Sequence, residues 1–341
     1  MREYIQKTVP LLACILLSVQ ANAGLLHYSV VDLGDLPGGG DLSLALGMNE
    51  IGQVVGYSSA ATGNRAFLWD VTSGMQDLGD LQGGRDLSVA FAINNQGQVA
   101  GYSGTSTGNR AFLWDRPSGM QDLGDLPGGT NFSVAYGINN SGQVAGYSGA
   151  PNGNQAFLWG STSAMQGLGA LAGGSGFSLG LGMNDEGQVV GYGSTADGSR
   201  AFLWDSATGM QSLGHLTNGS GSSVAWDVNS SGQAVGYSSA NGSTQAFVWD
   251  EMSGMRDLNS WLAPADSSWT LIEARAINDS GQIVGYGRNP NGQTRAFLLN
   301  PNLANAAVPE PTTLVAFALL VLAGMLQRCR CTPSRTMLRF E

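Results

Sequence analysis

The sequence predicts an all-β protein, a six-bladed β-propeller whose blades are four-stranded and antiparallel. A unit of about 45 residues recurs six times along the chain. Each copy holds four short runs rich in β-branched and aromatic residues, bounded by turn residues. No helical periodicity appears between residues 24 and 300. A four-strand unit that repeats at this period is typical of propeller blades.

Three short sequence elements mark the repeat. Ala-Phe-Leu-Trp, or Ala-Phe-Val-Trp, recurs every 45 residues from Ala66 to Ala246, and a sixth copy, Ala296-Phe297-Leu298-Leu299, follows after 50. Gly-Gln-x-x-Gly-Tyr begins at Gly52, Gly97, Gly142, Gly187, Gly232 and Gly281. An Asn precedes it at Asn49, Asn94, Asn139, Asn184, Asn229 and Asn278. Recurrence in every copy favours packing or turn roles for these residues, with a six-fold sugar-binding set as the alternative.

The second copy illustrates the predicted strands, which are Met75–Leu78, Ser88–Ile93, Gln98–Tyr102 and Arg110–Trp114. The segment Asn94–Gly97 predicts a tight turn, because Asn bonds its own backbone and Gly accepts a positive φ. One such unit cannot bury both of its faces, so we expect six units to close on themselves as one domain over residues 24–300. A β-solenoid is the rival architecture, although solenoid coils are usually shorter.

Composition sets the class of protein. The chain has 341 residues, of which 43% are hydrophobic, 12% are charged and 51 are Gly, without a Gly-X-Y period. Length alone would suggest about two domains, but the repeat favours one. The net charge is −10, and Lys7 is the one lysine. Such an acidic chain repels phosphate backbones, so we expect no nucleic-acid partner.

The N-terminus predicts a secretory signal peptide over residues 1–23. Arg2 and Lys7 precede an apolar run from Val9 to Val19, which is followed by Ala21-Asn22-Ala23. This order of basic, apolar and small residues places cleavage between Ala23 and Gly24. A lipoprotein signal ending at Cys14 is the alternative, but the apolar run continues past that cysteine.

The C-terminus carries a second apolar segment, Thr312 to Leu326, which is short for a membrane-spanning helix. It follows Pro309-Glu310-Pro311 and precedes Arg328 and Arg330, which would hold that end in the cytoplasm. This order resembles a PEP-CTERM sorting signal. The resemblance implies recognition by an exosortase, transient inner-membrane association through residues 312–327, and release to the cell surface or the exopolysaccharide matrix. Residues 301–311 would be a linker and 328–341 a basic cytoplasmic tail, longer than is usual in that family.

The repeats themselves resemble the HAF repeat of extracellular proteins. The position before Ala-Phe, which names that family by its histidine, holds Arg or Gln in all six copies here. The resemblance therefore implies fold and export, and no role of an imidazole is carried over. Cysteine usage agrees with export, because Cys14, Cys329 and Cys331 all lie outside the repeats, which leaves them no disulfide or thiolate site.

The loops offer weak candidates for ligand sites. Gly-rich connections such as Pro127-Gly128-Gly129 lack the Lys and the helix of a phosphate loop. Asp35 and Asp41 share one connection, and Asp80 and Asp86 share the next. Such carboxylates suit Ca²⁺, but no defined calcium loop matches, so we expect solvated charges and no cofactor.

Copy six departs most from the repeat. Its insertion, from Asn259 to Trp269, carries two tryptophans, Trp261 and Trp269, beside Asp266. An exposed aromatic plate next to a hydrogen-bond acceptor is what a sugar-stacking subsite needs. The alternative is that these tryptophans plug the ring or cover an irregular blade edge. Glu273 and Arg275, just after the insertion, would complete either version.

These observations lead to one functional expectation. We expect an exported, non-enzymatic protein of the cell surface or matrix that binds extracellular polysaccharide, or a surface protein, weakly and multivalently. One alternative is a scaffold or adhesion propeller that binds another protein. The other is a glycoside hydrolase or lyase that uses a pair of carboxylates, for which no pair of acids is marked in the sequence.

Overall fold

The computed structural model describes residues 31–216, 221–240 and 242–301. Sheet 1 contains β1 (Ser43–Met48), β2 (Val54–Ala60), β3 (Gly63–Asp70) and β4 (Gly74–Asp77). Sheet 2 contains β5 (Ser88–Ile93), β6 (Val99–Gly104), β7 (Asn109–Asp115) and β8 (Gly119–Asp122). Sheet 3 contains β9 (Ser133–Ile138), β10 (Val144–Ala150), β11 (Gly153–Gly160) and β12 (Ser163–Gly167).

The remaining sheets follow in the same way. Sheet 4 contains β13 (Ser178–Met183), β14 (Val189–Thr195), β15 (Gly198–Asp205) and β16 (Gly209–Gly214). Sheet 5 contains β17 (Gly221–Val228), β18 (Ala234–Ala240), β19 (Ser243–Asp250) and β20 (Gly254–Asp257). Two 3₁₀ helices, Leu258–Trp261 and Pro264–Asp266, lead to sheet 6, which contains β21 (Thr270–Ile277), β22 (Ile283–Arg288) and β23 (Thr294–Leu299).

Each sheet is an antiparallel meander whose strands pair in chain order. Consecutive sheets pack face to face, and the first strands of neighbouring sheets lie against each other. Among the fourth strands, only β16 and β20 pack appreciably. The sheets therefore fan outward from their first strands, which is how blades are arranged in a propeller. This confirms the predicted all-β fold of antiparallel blades and identifies the first strand of each sheet as the innermost one.

Apolar residues at alternate strand positions form the core between neighbouring sheets. Between sheets 2 and 3, Leu113 packs with Val144 and Phe157. The phenylalanine of the Ala-Phe element is fully buried in five sheets, at Phe67, Phe112, Phe157, Phe202 and Phe247. The tryptophan two residues later packs partly buried against the same clusters, at Trp114, Trp159, Trp204 and Trp249. These recurring aromatic residues are therefore packing residues.

The recurring Asn links each sheet to the next. The side chain of Asn94 accepts a hydrogen bond from the backbone N–H of Gln98 at 2.9 Å, which closes the turn between β5 and β6. Its amide donates to the side chain of Gln98 at 2.9 Å and to the carbonyl of Asn139, in the next sheet, at 3.0 Å. One side chain thus satisfies a turn and a contact between sheets, as its recurrence predicted.

At two positions a neighbouring backbone lies so close that only glycine fits. At Gly146, of the Gly-Tyr pair, a Cβ atom would lie 2.0 Å from the carbonyl oxygen of Val134 on β9. At Gly129, in a Gly-rich connection, it would lie 2.2 Å from the carbonyl oxygen of Gly149. The Gly-rich connection therefore packs against the hairpin between β10 and β11, which places these two kinds of loop on the same rim of the fan.

Sheet 6 departs from the prediction of six equal, closed blades. It has three strands, and within the described residues it does not pack against sheet 1. The reason is the point within the repeat at which each sheet begins and ends. The strand that carries the Asp-Leu-Gly element, such as β4 with Asp77, is the fourth strand of the preceding sheet. Nothing equivalent follows β23 before Pro301, and the corresponding segment of the first copy, which ends in Asp32-Leu33-Gly34, begins outside the described residues. The fourth strand of the sixth blade and the closure of the ring therefore stay predictions.

Several predictions fall on residues outside the described ranges. They are the signal peptide with Ala21, Ala23 and Gly24, the sorting motif Pro309-Glu310-Pro311, the segment 312–327, and Arg328 with Arg330. Among residues 31–216, 221–240 and 242–301, the structure holds no helix with the length and apolar character needed to cross a bilayer.

Candidate functional site

The predicted rim residues have different environments. Trp261 ends the first 3₁₀ helix and is 53% exposed, with the guanidinium of Arg256 lying 4.3 Å from its ring centre. Asp266 is exposed at the end of the second 3₁₀ helix. Trp269 packs against the apolar cluster between sheets 5 and 6. Trp269 therefore packs between these sheets, as the alternative of a covered blade edge predicts, whereas Trp261 stays exposed.

Trp261 and Asp266 line an open cleft of about 700 Å³ beside sheet 6. Leu262, Ile283 and Leu298 supply much of its apolar wall. Leu298 is 51% exposed, whereas its counterpart Leu113 is 6% exposed beneath the next sheet. The cleft thus lies on the face of sheet 6 that no following sheet covers.

A second candidate site runs along the inside of the fan. The Gly-Tyr pair of each second strand places one tyrosine there, and all six are half-buried: Tyr57, Tyr102, Tyr147, Tyr192, Tyr237 and Tyr286. We call these six residues the tyrosine row. Aromatic residues of the first strands join it, with ring centres 4.5 Å apart between Phe91 and Tyr136, and 5.9 Å apart between Tyr136 and Tyr147. The result is a continuous aromatic surface across sheets 2 and 3.

The hydroxyls of this surface stay neutral over a wide pH range. Burial, followed by the neighbouring Tyr147, raises the pKa of Tyr136 to about 12. Burial also raises the pKa values of Tyr102, Tyr147 and Tyr192. Tyr102, Tyr147 and Tyr192 therefore offer flat apolar rings and neutral hydroxyls that can donate or accept a hydrogen bond.

We expect stability to fall between pH 10 and pH 12 because of Tyr136. A tyrosine in the unfolded chain ionises near pH 10, whereas burial raises the pKa of Tyr136 to about 12 in the folded protein. The stabilisation is complete below about pH 10 and is lost as the pH rises through about 12. Melting temperatures measured across this range should fall less steeply for Tyr136→Phe. An equal fall in both proteins would contradict the assignment, and with Lys7 as the one lysine, lysine titration hardly interferes.

A charged cluster lies at the sheet 6 end of the tyrosine row. Glu273 on β21 is 5% exposed and accepts a hydrogen bond of 2.8 Å from the hydroxyl of Tyr286. Its other carboxylate oxygen lies 2.5 Å from Nε of Arg275. The Arg275 guanidinium in turn lies 4.3 Å from the ring centre of Trp226. The hydrogen bond to Glu273 raises the pKa of Tyr286, and the cluster makes the sheet 6 end of the row strongly polar.

The sequence contains a signal for this cluster that composition and motif searches miss. When the six copies are aligned on their Asn, Glu273 matches the apolar residues Leu44, Val89, Val134, Leu179 and Val224. Arg275 likewise matches Leu46, Phe91, Tyr136, Leu181 and Trp226. Two charges at positions that are otherwise apolar are costly unless they pair. The sequence singled out Glu273 and Arg275 only as neighbours of the insertion, whereas the structure places them at the innermost strand.

One of the two aspartate pairs that the sequence offered, Asp80 and Asp86, has an arginine as its partner. Arg65 lies between them, with Nη1 2.7 Å from Asp80 and Nη2 2.5 Å from Asp86. Arg110 makes the equivalent contact to Asp125 at 2.6 Å in the next sheet. An arginine from the preceding sheet thus fills the space that a Ca²⁺ ion would need. Within the described ranges, no group of three or more His, Cys, Asp and Glu side chains is placed to hold a metal ion.

No protein-family model and no curated protein matches the chain. Among solved structures, a prolyl endopeptidase shares 11% identity over 76% of this chain and 41% of its own, with a TM-score of 0.52. The β-propeller domain of the trilobed protease from Pyrococcus furiosus shares 10% identity over 76% of this chain and 79% of its own, with a TM-score of 0.47. A mutant Aleuria aurantia lectin in complex with Fucα1-6GlcNAc shares 15% identity over 76% and 91%, with a TM-score of 0.38. The first likeness shows a shared fold and leaves activity open.

Proposed function

We propose that the chain is an exported, non-enzymatic protein that binds extracellular polysaccharide weakly along the tyrosine row. The observation that carries the proposal is the continuous, half-exposed aromatic surface on the inner strands, which includes Phe91, Tyr136 and Tyr147. Surface aromatic residues that recur in every sheet and remain half-exposed are not needed to fill the core. They are suited to a ligand that also repeats.

The chemistry of the row matches a glycan chain. The apolar C–H face of a sugar ring packs on an aromatic ring, and neutral tyrosine hydroxyls pair with sugar hydroxyls. The net charge of −10 disfavours polyanions, so a neutral polysaccharide is the better ligand. Each sheet contributes one similar contact, and simultaneous contacts along one chain add avidity without a strong single site.

Two acids, Glu273 and Asp227, are engaged in structural contacts and are not arranged as a hydrolytic pair. Glu273 is held by Arg275 and Tyr286, and Asp227 accepts a hydrogen bond from the backbone N–H of Ile277 in the next sheet. Burial raises the pKa of Asp227 to about 6. Both acids are therefore tied to structural partners, whereas a glycosidase needs two acids facing one bond.

Binding is tested by comparing the glycan retention of variants in the tyrosine row with that of a variant at the rim. Tyr147→Ala should weaken retention on neutral polysaccharide gels or a glycan array about tenfold, in line with the loss of one well-packed aromatic contact. Tyr147→Phe should keep most of the retention because the ring remains. Trp261→Ala, at the rim, is the matched control and should leave retention unchanged. Failure of the wild-type chain to bind at high density, or a loss with Trp261→Ala alone, would contradict the proposal.

Export and sorting are proposed from the ends of the chain. The A-x-A site before Gly24 supports secretion, and Pro309-Glu310-Pro311 with its apolar segment and basic end supports handling by an exosortase. Replacing these three residues with alanine should leave the protein membrane-held and unprocessed in a host that has the system. The test is the size and fraction of the protein on immunoblots. Normal release of the variant would rule out this sorting route, whatever the outcome for glycan binding.

A further inference from the structure

The two ends of the sheet stack expose faces that are buried everywhere else. On sheet 1, Met48 is 69% exposed, whereas its counterpart Ile93 in sheet 2 is 8% exposed. On sheet 6, Leu298 is 51% exposed and Val284 is 43% exposed. Asn278 is exposed as well, while the other five recurring Asn side chains are buried under the next sheet. Each terminal face is thus one half of an interface between sheets.

The terminal faces keep the polar groups that join sheets elsewhere. At internal junctions, a serine at the start of the first strand accepts a hydrogen bond from the preceding sheet, as Ser88 does from the N–H of Ala66 at 2.9 Å. Ser133 accepts one from Ala111 in the same way at 2.9 Å. The equivalent residues at the ends are Ser43 on sheet 1 and Ala296 on sheet 6, and both are exposed.

The charges of the two faces are complementary. At the first junction, Arg65 binds Asp80 and Asp86, which lie 15 and 21 residues further along the chain. The residue that matches Arg65 in sheet 6 is Arg295, and those that match the two aspartates before sheet 1 are Asp35 and Asp41. All three are exposed, and none forms an ion pair with a described residue. One terminal face is therefore basic at this point and the other is acidic.

We propose that a second copy of this chain docks head to tail, with its sheet 1 on the exposed face of sheet 6. The faces of a single copy do not meet within the described residues. At the matched positions sheet 6 offers Arg295 and sheet 1 offers Asp35 and Asp41, so each face pairs better with the other than with itself. An interface between two different faces can repeat from copy to copy, giving a closed ring or a filament. At each junction, Arg295 would bind Asp35 and Asp41 of the neighbouring copy.

Charge reversal tests this arrangement in the full chain, kept in detergent because both ends carry apolar runs. Two differently tagged copies are mixed, and one is pulled down. The wild-type pair should be recovered together. Arg295→Asp mixed with itself, or Asp35→Arg/Asp41→Arg mixed with itself, should lose at least about tenfold in recovery, because like charges would face each other. Arg116→Asp, which reverses an exposed arginine on the opposite rim, is the matched control and should pair normally.

The decisive sample mixes the Arg295→Asp copy with the Asp35→Arg/Asp41→Arg copy. Every junction between the two variants then joins opposite charges, so recovery should return to about the wild-type level. Closure of the chain on itself predicts no rescue by mixing, and that result would overturn the proposal. Failure of the wild-type copies to associate, or association that ignores the reversals, would overturn it too. Glycan binding by Tyr147 variants is measured separately and does not depend on this outcome.

Discussion

Replacing Phe157 with alanine is expected to lower the free energy of unfolding by about 4 kcal/mol. The side chain is fully buried between sheets 2 and 3, where it contacts a cluster that includes Leu113 and Val144. Truncation removes the transfer free energy of the ring and leaves a cavity. Two rigid sheets flank that cavity, and their backbones are held by hydrogen bonds, so the space cannot collapse. Urea unfolding of the full chain, followed by tryptophan fluorescence, measures the loss.

Phe297→Ala provides the matched control for this prediction. Phe297 occupies the same position in sheet 6 and packs against the cluster between sheets 5 and 6, but it is only partly buried. Its truncation should cost roughly 1–2 kcal/mol, since solvent already reaches the site. Equal losses for both variants would contradict the view that complete burial between two sheets, as at Phe157, sets the size of the loss.

Local sequence was sufficient to predict the repeating part of the fold. The predicted strand Ser88–Ile93 is β5 with identical bounds, and the predicted strand Arg110–Trp114 lies within β7. Both are fixed by local patterns of apolar residues and turns, which every copy repeats. The turn role of Asn94 also followed from its position, because a short amide side chain satisfies its own backbone.

Features that depend on the relation between sheets were not predictable in this way. Strand order along the radius, and hence the inner position of Tyr147, requires knowing which strands of different sheets meet. The described residues give sheet 6 three strands because each sheet ends with the strand that carries the Asp-Leu-Gly element, such as β4 with Asp77, and this order cannot be read from one copy alone. The charged cluster of Glu273 and Arg275 was missed because these two residues stand out only when they are compared with the apolar residues at the same positions of the other sheets.

Asn139→Ala is expected to lower the free energy of unfolding by about 3 kcal/mol, the second large effect. The side-chain oxygen accepts hydrogen bonds from the N–H groups of Ser141 and Gln143 at 3.1 and 2.9 Å. Its amide donates to the Gln143 side chain at 2.8 Å and to the carbonyl of Asn184 in the next sheet at 3.3 Å. Each buried group that loses its partner costs about 1–3 kcal/mol, and water has no access to this buried side chain to replace it.

Asn278→Ala, the same substitution in sheet 6, separates the free energy contributed by the turn from that contributed by the junction between sheets. Asn278 makes the same turn contacts, accepting from the N–H of Gln282 at 2.9 Å and donating to its side chain at 2.8 Å. It is exposed and has no sheet beyond it, so Asn278→Ala should cost about 1 kcal/mol. The difference between the two urea unfolding experiments is the contribution of the link between sheets. If Asn278→Ala were as costly as Asn139→Ala, the recurring Asn would act on its turn alone, and the explanation of its recurrence by sheet-to-sheet bonding would be wrong.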